Sequence, residues 1–251
     1  MKGKRGYIIG LSVIILLFGL WAVKEFNHRY KYDELLQPDK ITGRKTAPKQ
    51  KKIKKTEELE YIVLDGEKAK APEFQLVNQH NDTISQLDYE GKVYVVEFFY
   101  TSCPTICPIM NQNLIEVAEE FKNNDNFGIA SFSIDPKRDT PETLKEYADK
   151  HKIIHPHWNL LTGEREKIYN LALEGFKLIA QDDAQEPGGI MHDGLFVLID
   201  QDGYIRSRKD DFGNPLIYYR GYIERDAVAE LGQEEPQINE LIEDIRTLVR
   251  N

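Results

Sequence analysis

Val93-Tyr-Val-Val-Glu-Phe-Phe-Tyr-Thr-Ser-Cys-Pro-Thr-Ile-Cys-Pro-Ile-Met110 is the stretch that decides how this chain folds. Val93 to Tyr100 is apolar and β-favouring, broken only by Glu97, which predicts a central strand covered on both faces. A helical pattern runs from about Cys107 to Lys122, with Met110, Leu114, Val117, Ala118 and Phe121 as its apolar stripe. Between strand and helix stand Cys103 and Cys107, the 2 cysteines of the 251 residues, each followed by a proline. Two thiols placed at random would be small buried apolar residues. Open α/β sheets put their sites beyond the carboxyl ends of their strands, and thiols gain reactivity at helix N-termini. The placement therefore reads as a functional pair.

The spacing leaves the chemistry open. If the helix begins near the first cysteine, residues four apart share a face with Cβ atoms roughly 5–6 Å apart. A relaxed disulfide wants about 3.5–4.5 Å. Two thiolates on one ion, at about the 2.3 Å known for zinc, lie roughly 4 Å apart, so a shared metal fits at least as easily. A disulfide needs that turn to open, and the pair remains a candidate for redox chemistry as well as for metal binding.

Working outward, Ala71 to Val77 and Thr83-Ile84 flank a turn-rich patch and predict a short hairpin. Phe127 to Ile134 reads as a second strand. Asp139-Thr-Pro-Glu142 opens a helix that runs to about His151, with a cap, a proline in the first turn and an early acid. Trp158 to Leu161 reads as a strand, Glu164 to Glu174 as a helix and Leu195 to Ile199 as a strand. Asp202-Gly203 turns into Tyr204 to Arg206, and Gln237 to Val249 closes the chain as a helix. That order is the order of a thioredoxin-like α/β fold.

Of the 6 histidines, His28 and His80 lie in polar or turn-rich stretches, and His151, His155 and His157 gather around a helix end and its loop. His155-Pro-His157 reads as surface loop before it reads as a weak metal site. His192 stands between a Gly/Pro-containing loop and the strand from Leu195, where a thioredoxin-like sheet faces the cysteine-bearing helix. Thiol oxidoreductases of that fold carry a proline beside the cysteines there, and this chain has Ile190-Met-His-Asp193. By position alone, a histidine hydrogen-bonded at a strand entrance is the simpler reading. With Cys103 and Cys107 it would form a two-thiolate, one-imidazole set, soft enough for copper(I) and tolerant of copper(II).

The chain opens with Lys2, Lys4 and Arg5, then an uncharged apolar run from Tyr7 to Val23 that barely reaches the length of a bilayer span. No small-residue cleavage site follows, so residues 1–24 are expected to be an uncleaved signal anchor. Residues 25–65 read as a polar tether with a basic cluster from Arg44 to Lys55, and residues 66–251 as the folded body. Lys24, Arg29 and Lys31 weaken the positive-inside signal. An N-terminal anchor and scarce cysteines place the body outside the cytoplasmic membrane. The net charge of -9 argues against nucleic-acid binding.

Phe98 to Pro108, Ser-Ile-Asp-Pro-Lys-Arg-Asp-Thr-Pro-Glu from Ser133, Trp158 with Leu161-Thr-Gly163, and His192 ahead of an apolar strand together resemble the Sco/SenC family. The resemblance spans about Ala71 to Ile205 plus the closing helix. It implies a membrane-tethered thioredoxin-like domain that holds one copper ion through Cys103, Cys107 and His192. It also implies that the chain helps metallate the binuclear copper centre of cytochrome c oxidase, the partner being its copper-receiving subunit or another cuproprotein. The family is credited with thiol-disulfide work too, which keeps Cys103 and Cys107 as a candidate redox pair. On this resemblance the chain is a metallochaperone before it is an enzyme, and any enzymatic activity would be thiol-disulfide exchange. A thiol peroxidase is the weakest reading, since Tyr100 stands where such enzymes place a threonine. Asp135 is expected to be structural rather than a ligand. Met191 replaces the acidic residue the family often carries before the histidine. Lys209 to Gly232 matches no pattern.

Overall fold

The computed structural model describes residues 59–250 apart from 65, 211, 212 and 231. The expected anchor and all but the end of the expected tether lie outside the described residues. Among the described residues, no helix is long and apolar enough to cross a membrane.

The strands are β1 (Glu60–Tyr61), β2 (Val63–Leu64), β3 (Glu67–Lys68), β4 (Gln75–Asn78), β5 (Thr83–Ser85), β6 (Val93–Phe99) and β7 (Phe127–Ser133). They continue with β8 (Trp158–Thr162), β9 (Ala180–Asp182), β10 (Ile190–His192), β11 (Leu195–Ile199), β12 (Ile205–Ser207) and β13 (Tyr219–Arg220). The helices are α1 (Cys107–Glu120), α2 (Pro141–His151), α3 (Arg165–Asn170) and α4 (Ile238–Leu248). The central mixed sheet runs β1-β12-β11-β6-β7-β8-β4-β5, with β13 added to β11. β6, β7 and β8 are parallel, and β11 meets β6 antiparallel. α4 packs on α1, β6 and β13, while α2 lies against β8 and β4.

The run that suggested a central strand is one: all seven residues of β6 are buried between β11 and β7. Valines and aromatics suit this place because their branched or flat side chains fill a two-sided apolar layer. Glu97 is the exception. Its carboxylate accepts from Ser131 Oγ at 2.6 Å, and Ser131 Oγ in turn accepts from Trp158 Nε1 at 2.9 Å. Burial pushes its pKa up from 4.5 to about 7 despite the serine hydroxyl.

That shift makes stability depend on pH. Below pH 4.5 both folded and unfolded forms hold the proton; between 4.5 and about 7 only the folded form does, so stability falls as pH rises. Above that window the full penalty persists, on the order of 2–3 kcal/mol from the size of the shift. Glu97→Gln is expected to gain that amount over wild type between pH 4.5 and pH 8 in urea unfolding of the reduced protein. A gap between the two proteins that ignores pH would refute the assignment.

α2 starts as its sequence suggests, but Thr140 is the cap, its Oγ1 accepting from Thr143 N at 3.3 Å, with Pro141 in the first turn. Asp139 is left for another task. α4 buries Ile238, Leu241, Ile242, Ile245 and Leu248 along one stripe, as read.

Two features depart from the sequence reading. Residues 59–64, assigned by composition to the tether, join the fold: Leu59 and Ile62 are buried, and β1 pairs with β12. The stretch before His192 is an antiparallel hairpin, β9–β10, with His192 opposite Ala180. α1 begins at Cys107, as its pattern suggested, so Cys103 lies in the turn before it and the two cysteines do not share a helix face.

Candidate metal centre

Three elements bring the site together. β6 ends at Phe99, and Tyr100 O accepts from Cys103 N at 3.2 Å, closing a turn that carries Cys103. Cys107 is the first residue of α1, with Pro108 next to it where a missing N–H is harmless. His192 ends β10. His192 Nε2 lies 3.4 Å from Cys107 Sγ and 4.0 Å from Cys103 Sγ, and the three potential ligand atoms all fall within 4.8 Å of one another. Both cysteines are buried and unbridged.

One ion about 2.0–2.3 Å from each donor, the range known for zinc with imidazole and thiolate, calls for edges near 3.5–4 Å. The observed spacing therefore needs only small side-chain adjustments. Two sulfurs and an imidazole form a soft set suited to copper(I). Among the described residues, His192 Nδ1 is a buried side-chain polar atom with no hydrogen-bond partner. Among the described residues no carboxylate accepts a hydrogen bond from this nitrogen, in keeping with Met191 at the preceding position.

The two thiols differ. A hydrogen bond from Cys107, and a weaker contribution from His192, hold the Cys103 thiol far below its ordinary range. The same shared proton, together with burial, pushes Cys107 up. Cys103 is thus the more readily ionised of the two, and an ion held by both sulfurs would require Cys107 to give up its proton.

Tyr100 walls the site. Its ring meets His192 edge-on at 5.9 Å, its hydroxyl donates to Pro187 O at 3.2 Å, and burial pushes its pKa up. Gly188 is required beside it, for at φ +96° an added Cβ would stand 2.4 Å from the Tyr100 hydroxyl. The segment that matched no pattern packs against residues next to the site. Tyr222 packs on Gly194 near Ile106, Gly221 N donates to Gly194 O at 2.9 Å, and Asn113 Nδ2 donates to Gly221 O and Ile223 O, both at 2.8 Å.

The remaining sequence candidates lie elsewhere. His155 is buried, its Nε2 3.3 Å from Phe121 O and its Nδ1 accepting from His157 N at 3.2 Å, so both ring nitrogens are engaged in the loop. Asp135 is ion-paired with Arg138 and is not in the cysteine–histidine group. Sequence reasoning passed over Tyr100, taken as the end of a strand, and Asp139, taken as part of a helix start.

A sequence model of the SCO1/SenC family matches residues 64–218. The SCO1 protein homolog of Bacillus subtilis (strain 168) is 32% identical over 134 residues, 53% of this chain and 69% of that protein. The structure of BsSco, described as having a disulfide switch and as a member of the Sco family of cytochrome c oxidase assembly proteins, aligns with a TM-score of 0.57 at 26% identity. It covers 72% of this chain and 94% of that one. Bradyrhizobium japonicum ScoI, solved with copper bound, shares the fold, with a TM-score of 0.54 at 24% identity over 72% of this chain and 99% of that one. The family match covers more than half of the sequence and includes the cysteine turn, α1 and His192, so this chain belongs to the SCO1/SenC family.

Proposed function

We propose that this chain binds one copper(I) ion as cargo through Cys103, Cys107 and His192 and delivers it to the binuclear copper centre of cytochrome c oxidase. The observation that supports this most is the meeting of two sulfurs and an imidazole nitrogen within 4.8 Å, from positions 85 and 89 residues apart in sequence. Membership of the family and the copper-bound ScoI relative support copper as the ion. Residues 1–24 serve as a single-pass anchor and the residues after them as a tether, with the body on the periplasmic side.

In delivery, the thiolate of Cys103 and the imidazole offer the first contacts, and Cys107 completes the set as it gives up its proton. Release to a recipient reverses these steps, with Cys107 regaining its proton as its sulfur leaves the ion. Anaerobic titration of the full chain with copper(I), read by X-ray absorption, should saturate at one ion with two sulfur donors and one nitrogen donor. Copper bound without sulfur donors would sink the proposal.

A second reading is favoured by the thiolate–thiol asymmetry and by the disulfide switch of BsSco. Here Cys103 attacks a disulfide in the recipient and Cys107 resolves the mixed disulfide. The pair gives up two electrons and the one proton on Cys107, and with a second proton from solvent these reduce the recipient's disulfide to two thiols. Mixing the copper-loaded chain with a copper-free, fully reduced oxidase copper domain separates the readings. Delivery builds the binuclear centre there, whereas a pure reductant leaves the domain empty.

A further inference from the structure

Cys103 is the one member of the cluster that sits on no helix or strand, so something else must fix its sulfur. Asp139, fully buried, supplies the tie: its carboxylate accepts from Thr101 N at 3.0 Å, Thr101 Oγ1 at 2.5 Å and Ser133 Oγ at 2.6 Å. Thr101 is the second residue of the turn that closes between Tyr100 O and Cys103 N. Asp139 itself cannot drift. Its backbone N–H donates to Asp135 O at 2.9 Å, and α2 begins two residues later behind the Thr140 cap. A carboxylate with three short donors in a dry setting is rigid, because losing any one of them leaves a buried charge under-solvated.

We infer that Asp139 is a positioning residue for Cys103: through Thr101 it holds the cysteine turn and so sets the distance of that sulfur from Cys107 and His192. This rests on the proposed use of these residues as one site. It assigns to the Ser133–Glu142 segment a role that helix capping does not exhaust. The same tie acts on both chemistries, since ion binding and disulfide formation each need the Cys103 sulfur at a fixed separation from its neighbours.

The test compares Thr101→Val, Asp139→Asn and Ser133→Ala in the full chain. Thr101→Val removes the hydroxyl donor while keeping the shape and the backbone N–H. Ser133→Ala removes another donor from the same carboxylate but leaves both Thr101 hydrogen bonds to it in place, so it serves as the structural control. Thr101→Val and Asp139→Asn are expected to weaken copper(I) binding on the order of tenfold, as outer partners of metal sites do, and to shift the midpoint potential of the Cys103–Cys107 couple. Ser133→Ala is expected to lose comparable thermal stability and leave both quantities at the wild-type value. Equal shifts in all three variants, or no shift in Thr101→Val, would overturn the assignment. A wild-type chain that takes up no copper(I) would instead sink the metal-binding reading, and the copper-free midpoint potentials would still decide the role of Asp139.

Discussion

His192→Ala is expected to lower copper(I) affinity by about 100-fold or more, roughly 2.7 kcal/mol, while leaving the dithiol able to form a disulfide. The imidazole nitrogen lies 3.4 and 4.0 Å from the two sulfurs and is the third corner of the cluster. Without it the ion keeps two soft donors, so binding weakens but survives. Thiol chemistry survives because the dominant pull on Cys103 is the hydrogen bond from Cys107, with His192 a lesser contributor. Folding should change little, for His192 Nδ1 has no hydrogen-bond partner and Nε2 meets the two cysteine sulfurs rather than the backbone. Competition with a chromophoric copper(I) chelator under anaerobic conditions measures the affinity, and X-ray absorption should show one nitrogen donor lost. Cys103→Ser and Cys107→Ser should fall further and also end disulfide formation. An unchanged affinity in His192→Ala would remove the histidine from the site.

The parts of this molecule that were legible in the sequence are those encoded locally. β6 announced itself through an apolar run, α4 through its stripe, and α2 through Thr140 and Pro141, because strand burial, amphipathic spacing and capping each leave a short-range pattern. The cysteine pair was legible for the same reason, lying where a strand ends. The start of α1 near Cys107 was legible too, but the turn that carries Cys103 was not, since it is tied to Asp139, 36 positions further along the chain. β1 is two residues long and follows a basic stretch, so composition assigned it to the tether although Leu59 and Ile62 are buried. His192 needed the family resemblance: its place at the end of β10 depends on a hairpin whose Gly188 is fitted to Tyr100. The 209–232 segment carries no period of its own, and what holds it is on α1 and α4.

Asp244→Ala is expected to destabilise the protein by about 3 kcal/mol, because it takes one acceptor from the buried Tyr219 hydroxyl and the partly exposed Arg208 guanidinium at once. Asp244 on α4 is buried and accepts from Tyr219 Oη at 2.7 Å and from Arg208 Nε and NH2, both at 2.8 Å. Tyr219 has no exposed surface, and burial followed by the neighbouring carboxylate pushes its pKa well up, so its hydroxyl keeps its proton and must donate. Truncating Asp244 strands that hydroxyl and leaves the partly exposed Arg208 with Glu243 at 3.2 Å and with Glu240 O at 3.0 Å. Tyr219→Phe should cost less, about 1 kcal/mol, since Asp244 keeps its guanidinium partner. In a double-mutant cycle the two changes should couple by about 1 kcal/mol, because once the hydroxyl is gone the carboxylate has one donor fewer to abandon. Urea unfolding of the reduced protein measures all three. The consequence reaches the metal centre through β13, since Tyr219 and Arg220 pair with Phe196 and Leu195 and the next residue, Gly221, bonds Gly194 two positions after His192. A cost below 1 kcal/mol for Asp244→Ala would mean that this carboxylate does not hold the segment, and that its other ties do, among them Arg220 N to Gln237 Oε1 and Asn113 Nδ2 to Gly221 O and Ile223 O.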